Sequence, residues 1–127
     1  MAANIFFSKD ESIEKPEDKF SSTFIHSSYW DALGDLLDAV FLPDYPQLHE
    51  IIKSEEGEYL KFYSFVELNK EQFNQSVRLI RDYIAKQENP TEWQKMAQMV
   101  WTEIAEPYIV QDERYQQSWI TGSLSPI

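Results

Sequence analysis

The chain contains no cysteine and only three glycines. Without cysteine it can form no disulfide, no thiolate metal site and no cysteine nucleophile. Gly34, Gly57 and Gly122 are too few for the many tight turns of a β-barrel or β-sandwich. The sequence also lacks the glycine-rich motifs of P-loop, dinucleotide-binding and nucleophile-elbow proteins. These absences disfavour an all-β fold and nucleotide chemistry.

Histidine is scarce as well, and no recognisable catalytic set accompanies it. His26 and His49 lie outside any paired-ligand pattern, so each is expected to be solvated or to cap a helix. Paired carboxylates such as Asp35 and Asp38 would need a cleft that separates their pKa values, and an exposed helical face provides none. We therefore predict that the protein is not an enzyme, with no catalytic residue, no metal site and no cofactor.

Long apolar runs are missing too. No stretch approaches the length that a transmembrane helix requires. The first residues lack the basic segment and the apolar segment of a signal peptide. These features predict a soluble, cytoplasmic protein that does not bind a membrane.

Positive charge is outnumbered two to one. Eleven Lys and Arg residues stand against 22 Asp and Glu residues, which gives a net charge of −11. Such a chain repels phosphate backbones, so nucleic-acid binding through a basic patch is disfavoured. A partner rich in Lys and Arg would be attracted, and its association would be accelerated. The plainer interpretation is that the charge serves solubility alone.

The chain does have an apolar, aromatic-rich composition with strong helical patterns. Hydrophobic residues make up 43%, among them eight Phe, seven Tyr and four Trp, which predicts a folded chain and a single domain over residues 1–127.

The first helix is predicted to begin at Ser28, with Asp31 completing a capping box, and to end before Pro43. Its apolar residues recur at three- and four-residue steps: Trp30, Leu33, Leu37, Val40 and Phe41. The acids Asp31, Asp35 and Asp38 share this spacing on a different face, which is predicted to point outward.

A second helix is expected to begin near Asp44 or Tyr45, with Pro46 in its first turn, and to be stopped by the glutamates of segment 55–58. The following segment, 59–67, fits a helix or a strand. Its aromatic and β-branched content favours a strand for part of it.

Asn69 and Gln72 form a further capping pair that predicts a third helix to about Lys86. Residues 89–92 are expected to open a fourth helix, which Pro107 closes. The predicted inward stripe of that helix is Trp93, Ala97, Val100, Trp101 and Ile104.

These elements predict a mainly α fold of four to five amphipathic helices. If 59–67 is extended, it needs a partner strand, for which the apolar start at residues 5–7 is available, and α+β is then the alternative description. Segment 8–22 is predicted to be an exposed polar loop and segment 120–127 a frayed end. Tyr115 and Trp119 are the expected anchors of the tail.

Carboxylates are concentrated in one part of the chain. Nine lie between Asp31 and Glu67, where the only lysines are Lys53 and Lys61. Because concentrated like charge lowers stability by self-repulsion, we predict that this segment serves to bind a partner. The predicted partner-binding residues, with Tyr45 as an aromatic anchor, are Asp31, Asp35, Asp38, Asp44, Tyr45, Glu50, Glu55, Glu56 and Glu58.

In size, acidity, lack of cysteine, aromatic content and lack of a catalytic set, the whole chain resembles the immunity proteins of bacterial contact-dependent growth inhibition and related polymorphic toxin systems. The resemblance implies a heterodimer with one cognate toxin domain, often a basic nuclease, whose activity is blocked sterically and electrostatically. It also implies an interface of about 1,600 Å². No individual residue is carried over, because these proteins share a role and not a sequence motif.

Two other functions fit the same features. An acidic nucleic-acid mimic would carry acids spaced like phosphates along an extended face and would inhibit several DNA-binding proteins. A non-catalytic adaptor domain would use its acidity only for solubility and would expose a large apolar patch.

Overall fold

The computed structural model describes residues 2–9 and 20–116 of the chain. The predicted frayed end 120–127 and the predicted anchor Trp119 lie outside the described residues, as does the middle of segment 8–22.

Helices form most of the described chain, together with one small sheet. In chain order the elements are β1 (Ala2–Lys9), β2 (Phe20–His26), α1 (Ser27–Phe41), α2 (Pro46–Ile52), α3 (Glu55–Leu60), β3 (Phe62–Ser64), α4 (Lys70–Lys86), α5 (Glu92–Met99), a π-helical segment (Val100–Ala105) and α6 (Glu106–Ile109). The last three follow one another without a break. The mainly α prediction with a small sheet is confirmed.

The three strands are ordered β2-β1-β3. Strand β1 pairs antiparallel with β2 and parallel with β3, so that Ile5 lies opposite Thr23 on one side and Tyr63 on the other. The prediction that part of 59–67 is extended and pairs with the apolar start is confirmed. Residues 59 and 60 belong instead to α3.

The predicted loop 8–22 includes residues that belong to strands at both of its ends. Ser8 and Lys9 continue β1, and residues 20–22 open β2. Register pairs Ser8 with Ser21, and a backbone ladder between such polar residues leaves little trace in the hydrophobic pattern.

Helix α1 begins one residue before the predicted start, with a different cap. The N-cap is His26, whose Nδ1 accepts a hydrogen bond from the backbone N–H of Ser28 at 3.1 Å. The capping role expected for His26 is confirmed, and the capping box of Ser28 with Asp31 is wrong. The helix ends at Phe41, ahead of Pro43 as predicted.

The glutamates predicted to stop the second helix form a helix of their own. Ser54 caps α3 by accepting the N–H of Gly57 at 3.0 Å, and three glutamates in the first turn suit the positive end of the helix dipole. Lys61, in the left-handed conformation with φ 59°, ends α3 and turns the chain into β3.

Helix α4 matches its prediction, with the capping box of Asn69 and Gln72 in place. Helix α5 opens within the predicted segment 89–92, with Thr91 as its N-cap and Gln94 as the partner of Thr91 in a capping box. Pro107 does not close this helix. At the end of the π-helical segment, the backbone N–H of Glu106 donates to the carbonyl of Trp101. Pro107 therefore lies in the first turn of α6, where a backbone N–H is not needed.

The core lies between the inner face of the sheet and helices α1, α4 and α5. Trp30 and Trp101 are buried there as predicted. Trp93 was predicted to lie on the inward stripe, but its side chain is 40% exposed at the start of α5. The largest fully buried side chains are Trp101, Tyr63, Phe7, Phe41, Phe65 and Phe73.

Candidate partner-binding surface

The three aspartates of α1 do not share one environment. Asp31 and Asp35 are exposed, as predicted. Asp38 is half-buried and accepts hydrogen bonds from His49 Nε2 at 2.7 Å and from Lys53 Nζ at 2.9 Å. The prediction that Asp38 simply faces outward is therefore wrong, because α2 packs beside α1 and brings both partners to it.

Lys53 is the centre of this ion cluster. Its side chain is only 10% exposed, and its ammonium group also lies 3.6 Å from the carboxylate of Glu58 on α3. Burial opposes the charged form of Asp38, but the hydrogen bonds and the attraction of Lys53 and His49 outweigh it and lower the pKa of the carboxyl from its ordinary value. The cluster therefore joins α1, α2 and α3 at neutral pH.

Four carboxylates of α1 and α3 act electrostatically on the hydroxyl of Tyr63. Burial raises the pKa of Tyr63 above its ordinary value, and the charges of Asp38, Asp31, Glu58 and Asp35 raise it further. We name these four carboxylates the acidic surface. Asp31 and Asp35 lie on consecutive turns of α1. Among the described residues, neither has a cationic partner, whereas Asp38 and Glu58 both pair with Lys53.

Helix α3 extends the acidic surface and adds an exposed aromatic side chain. Glu55 and Glu56 are exposed in its first turn. Tyr59, one turn after Glu56 on the same helix, is 87% exposed, and Leu60 is 56% exposed. Tyr59 was not predicted as part of this surface, because segment 59–67 fits both a helix and a strand.

An apolar groove of about 390 Å³ lies beside α3. The rings of Phe6 and Phe62 meet edge to face at 5.4 Å and line it together with Val66. Glu56 and Glu67 stand at the same groove. It therefore combines an apolar lining with carboxylates, a combination suited to an aliphatic or aromatic residue flanked by basic ones.

The remaining predicted partner-binding residues are Asp44, Glu50 and Tyr45. Asp44, between α1 and α2, and Glu50, on α2, are exposed and form no ion pair with another described residue. Tyr45, predicted as an aromatic anchor, is partly buried and packs against the core at the start of α2. Tyr59, by contrast, is 87% exposed.

Asp35 has a partner that the sequence did not indicate. The indole Nε1 of Trp93 donates to Asp35 Oδ2 at 2.7 Å, which links the exposed face of α1 to the start of α5. No signal in the sequence pairs two residues this far apart in the chain.

Two further kinds of site are absent from the described part of the chain. No group of three or more His, Asp or Glu residues is arranged there to hold a metal ion. None of the described helices combines the length and apolar character of a membrane span.

Comparisons of this chain with models of protein families, with curated proteins and with solved structures gave no match.

Proposed function

We propose that this protein is a cytoplasmic immunity protein that binds and neutralises one cognate toxin domain, a basic nuclease, in a heterodimer. The observation that carries the proposal is that Lys53 pairs with Asp38 on α1 and with Glu58 on α3, which joins the two helices into one acidic surface, together with the exposed Tyr59 and the apolar groove at α3. Acidic groups accelerate the encounter with a basic protein, and a desolvated aromatic residue supplies the energy of the final contact.

The mode of inhibition follows from the shape of the surface. Carboxylates that meet Lys and Arg residues of a nuclease occupy the place of the phosphates that those residues bind. The apolar groove then fixes the partner in one orientation, which a charged surface alone does not.

An acidic nucleic-acid mimic is supported less well by the same residues. A mimic needs an uninterrupted row of negative charge, whereas Lys53 pairs with both Asp38 and Glu58 in the middle of the acidic surface. The ammonium group of Lys61 also lies near this region, 5.8 Å from the ring of Trp30.

The test is co-expression in a bacterial host with the product of the gene beside this one, where the proposal expects a toxin domain. The wild-type chain should restore growth, form a complex and inhibit nuclease activity. Glu55→Gln with Glu56→Gln and Tyr59→Ala should weaken binding by about tenfold or more, since interface aromatics carry much of the binding energy. Glu88→Gln with Glu113→Gln removes the same charge from exposed residues elsewhere and should leave binding unchanged.

Two outcomes would overturn the proposal. One is a chain that neither binds nor protects against the neighbouring toxin domain. The other is equal binding to several unrelated DNA-binding proteins, which would identify a nucleic-acid mimic instead.

A further inference from the structure

A pocket of about 220 Å³ lies between α1 and α5, away from the apolar groove. The buried side chains of Ala32, Leu36 and Ala97 line it, together with the exposed side chains of Asp35 and Trp93. Its volume is below the range of about 300–1,000 Å³ that is usual for small-molecule ligands, so it suits a single long side chain.

Asp35 supplies the pocket with a negative charge that no cation of the described residues neutralises. Trp93 Nε1 holds the carboxylate through Oδ2 at 2.7 Å. Among the described residues, no hydrogen bond is made to Oδ1 and no Lys or Arg nitrogen lies within 4 Å. The carboxylate is thus oriented and has one oxygen available for a donor.

The two amide oxygens of the lining are already occupied. The amide oxygen of Gln94 accepts the N–H of Thr91 at 2.8 Å, and that of Gln87 accepts from Gln98 at 2.6 Å. The strongest acceptor left in the pocket is therefore the Asp35 carboxylate, and the exposed part of Trp93 offers an aromatic surface next to it.

We infer that this pocket receives an arginine side chain of the partner protein, with its guanidinium group donating to the available Oδ1 of Asp35 and stacked on the exposed face of the Trp93 ring. A guanidinium is planar, pairs with a carboxylate through its fork of donors and stacks on aromatic rings, whereas an ammonium offers only a compact charge. The inference rests on the proposed function, because it assigns one contact within the proposed complex.

The test uses the isolated chain and small probes. The chain has four tryptophans, so ¹⁵N-labelled protein gives four indole N–H signals, of which Trp93→Phe identifies one. n-Butylguanidinium should shift the Trp93 signal in a saturable way, and the neutral isostere n-butylurea should not. n-Butylammonium should bind more weakly than the guanidinium.

Asp35→Asn should weaken binding of n-butylguanidinium by about tenfold, because a hydrogen bond to a charged group is lost. Asp31→Asn is the matched control: it removes the same charge one turn earlier on α1, from a residue that does not line the pocket. It should change the affinity by less than about twofold, since exposed charges interact weakly through water.

Several results would overturn the inference: equal shifts with n-butylurea, equal or tighter binding of n-butylammonium, or the same loss in both aspartate variants. Any of them leaves the growth-protection result, and so the proposed function, untouched. Loss of protection with intact probe binding would overturn the proposed function instead, and with it the assignment of the arginine to a toxin.

Discussion

Gly34 is the residue that allows β3 to pack closely against α1. A Cβ atom at this position would lie 2.1 Å from the hydroxyl oxygen of Tyr63. Tyr63 cannot move aside easily, because its ring stacks on Trp30 at 4.7 Å and its hydroxyl donates to the Trp30 carbonyl at 2.9 Å. The glycine within the aspartate-rich helix thus has a packing role.

Gly34→Ala should therefore destabilise the protein, although alanine favours helix by up to about 1 kcal/mol. We expect a net loss of about 1–3 kcal/mol in the free energy of unfolding, as for other overpacked cores. Urea denaturation of this variant, of Tyr63→Phe and of the double variant measures it. The double variant should lose less than the sum of the two single losses, and strict additivity would contradict the close contact.

Asp38 should make part of the stability dependent on pH. Its pKa is lowered in the folded state, so the stabilisation is complete above the ordinary carboxyl pKa of 3.8 and is lost as the pH falls through the lower folded-state pKa. At pH 7, Asp38→Asn should reduce the free energy of unfolding by about 1 kcal/mol, the value of a half-exposed charged hydrogen bond. In acid, the difference from the wild-type protein should shrink towards zero.

Urea denaturation between neutral and acidic pH measures this difference. Asp44→Asn is the control, because Asp44 is exposed and no described residue pairs with it. A pH-independent difference for Asp38→Asn would show that the Asp38, His49 and Lys53 contacts do not form as described.

At the scale of elements, Arg114 ties the end of the described chain to the sheet and to α4. Its guanidinium donates to the carbonyls of Phe65 and Leu68 at 2.8 and 2.7 Å. It also donates to the carbonyl of Phe7 in β1 at 2.6 Å. Asp112, whose side chain is 1% exposed, pairs with it at 2.8 Å. Three segments far apart in sequence therefore depend on one side chain.

Arg114→Ala should cost about 3–5 kcal/mol, because it leaves Asp112 as an unpaired buried charge. If this variant does not fold, Arg114→Lys should show a smaller loss, since lysine keeps the charge but not the fork of donors. The denaturant midpoint measures both. Arg78→Ala is the control: Arg78 is exposed, and Asp82 on its own helix, at 3.7 Å, is its one ion-pair partner among the described residues. Comparable losses for Arg78 and Arg114 would contradict this account.

The elements that were predicted well are those whose capping residues and apolar spacing lie within the element or at its edge. Helix α4 was predicted from Asn69 and Gln72 and from a regular apolar spacing, all within the helix or at its edge. Strand β2 was missed because it is held by pairing with β1 and because three consecutive polar residues, 21–23, follow Phe20 in its first half. Its burial pattern depends on a neighbour that no local signal identifies.

The candidate site was predictable to a similar, limited extent. The periodicity of α1 correctly placed Asp31 and Asp35 on its surface. It could not show that α2 would bring Lys53 to Asp38, because that depends on how the helices pack. For the same reason, the link from Trp93 to Asp35 could not be read from the sequence.

For the whole molecule, the net charge of −11 implies self-repulsion that salt screens. Asp31 and Asp35, one turn apart on α1, are a like-charge pair of the kind that lowers helix stability by about 0.2–0.5 kcal/mol. Raising the ionic strength from about 0.01 to 0.15 M shortens the screening length from about 30 to 8 Å. We therefore expect the urea midpoint to rise with NaCl over this range.

The charge pattern makes this expectation specific. Asp31→Asn should stabilise the protein at low salt and flatten the salt dependence, because it relieves the repulsion with Asp35. Glu88→Gln removes the same charge from an exposed residue elsewhere and should flatten it less. A midpoint that falls with salt would mean that attraction in ion pairs such as Asp38 with Lys53 and Asp112 with Arg114 outweighs the repulsion. The acidic surface would then be balanced within the protein, and its charge would need no basic partner to explain it.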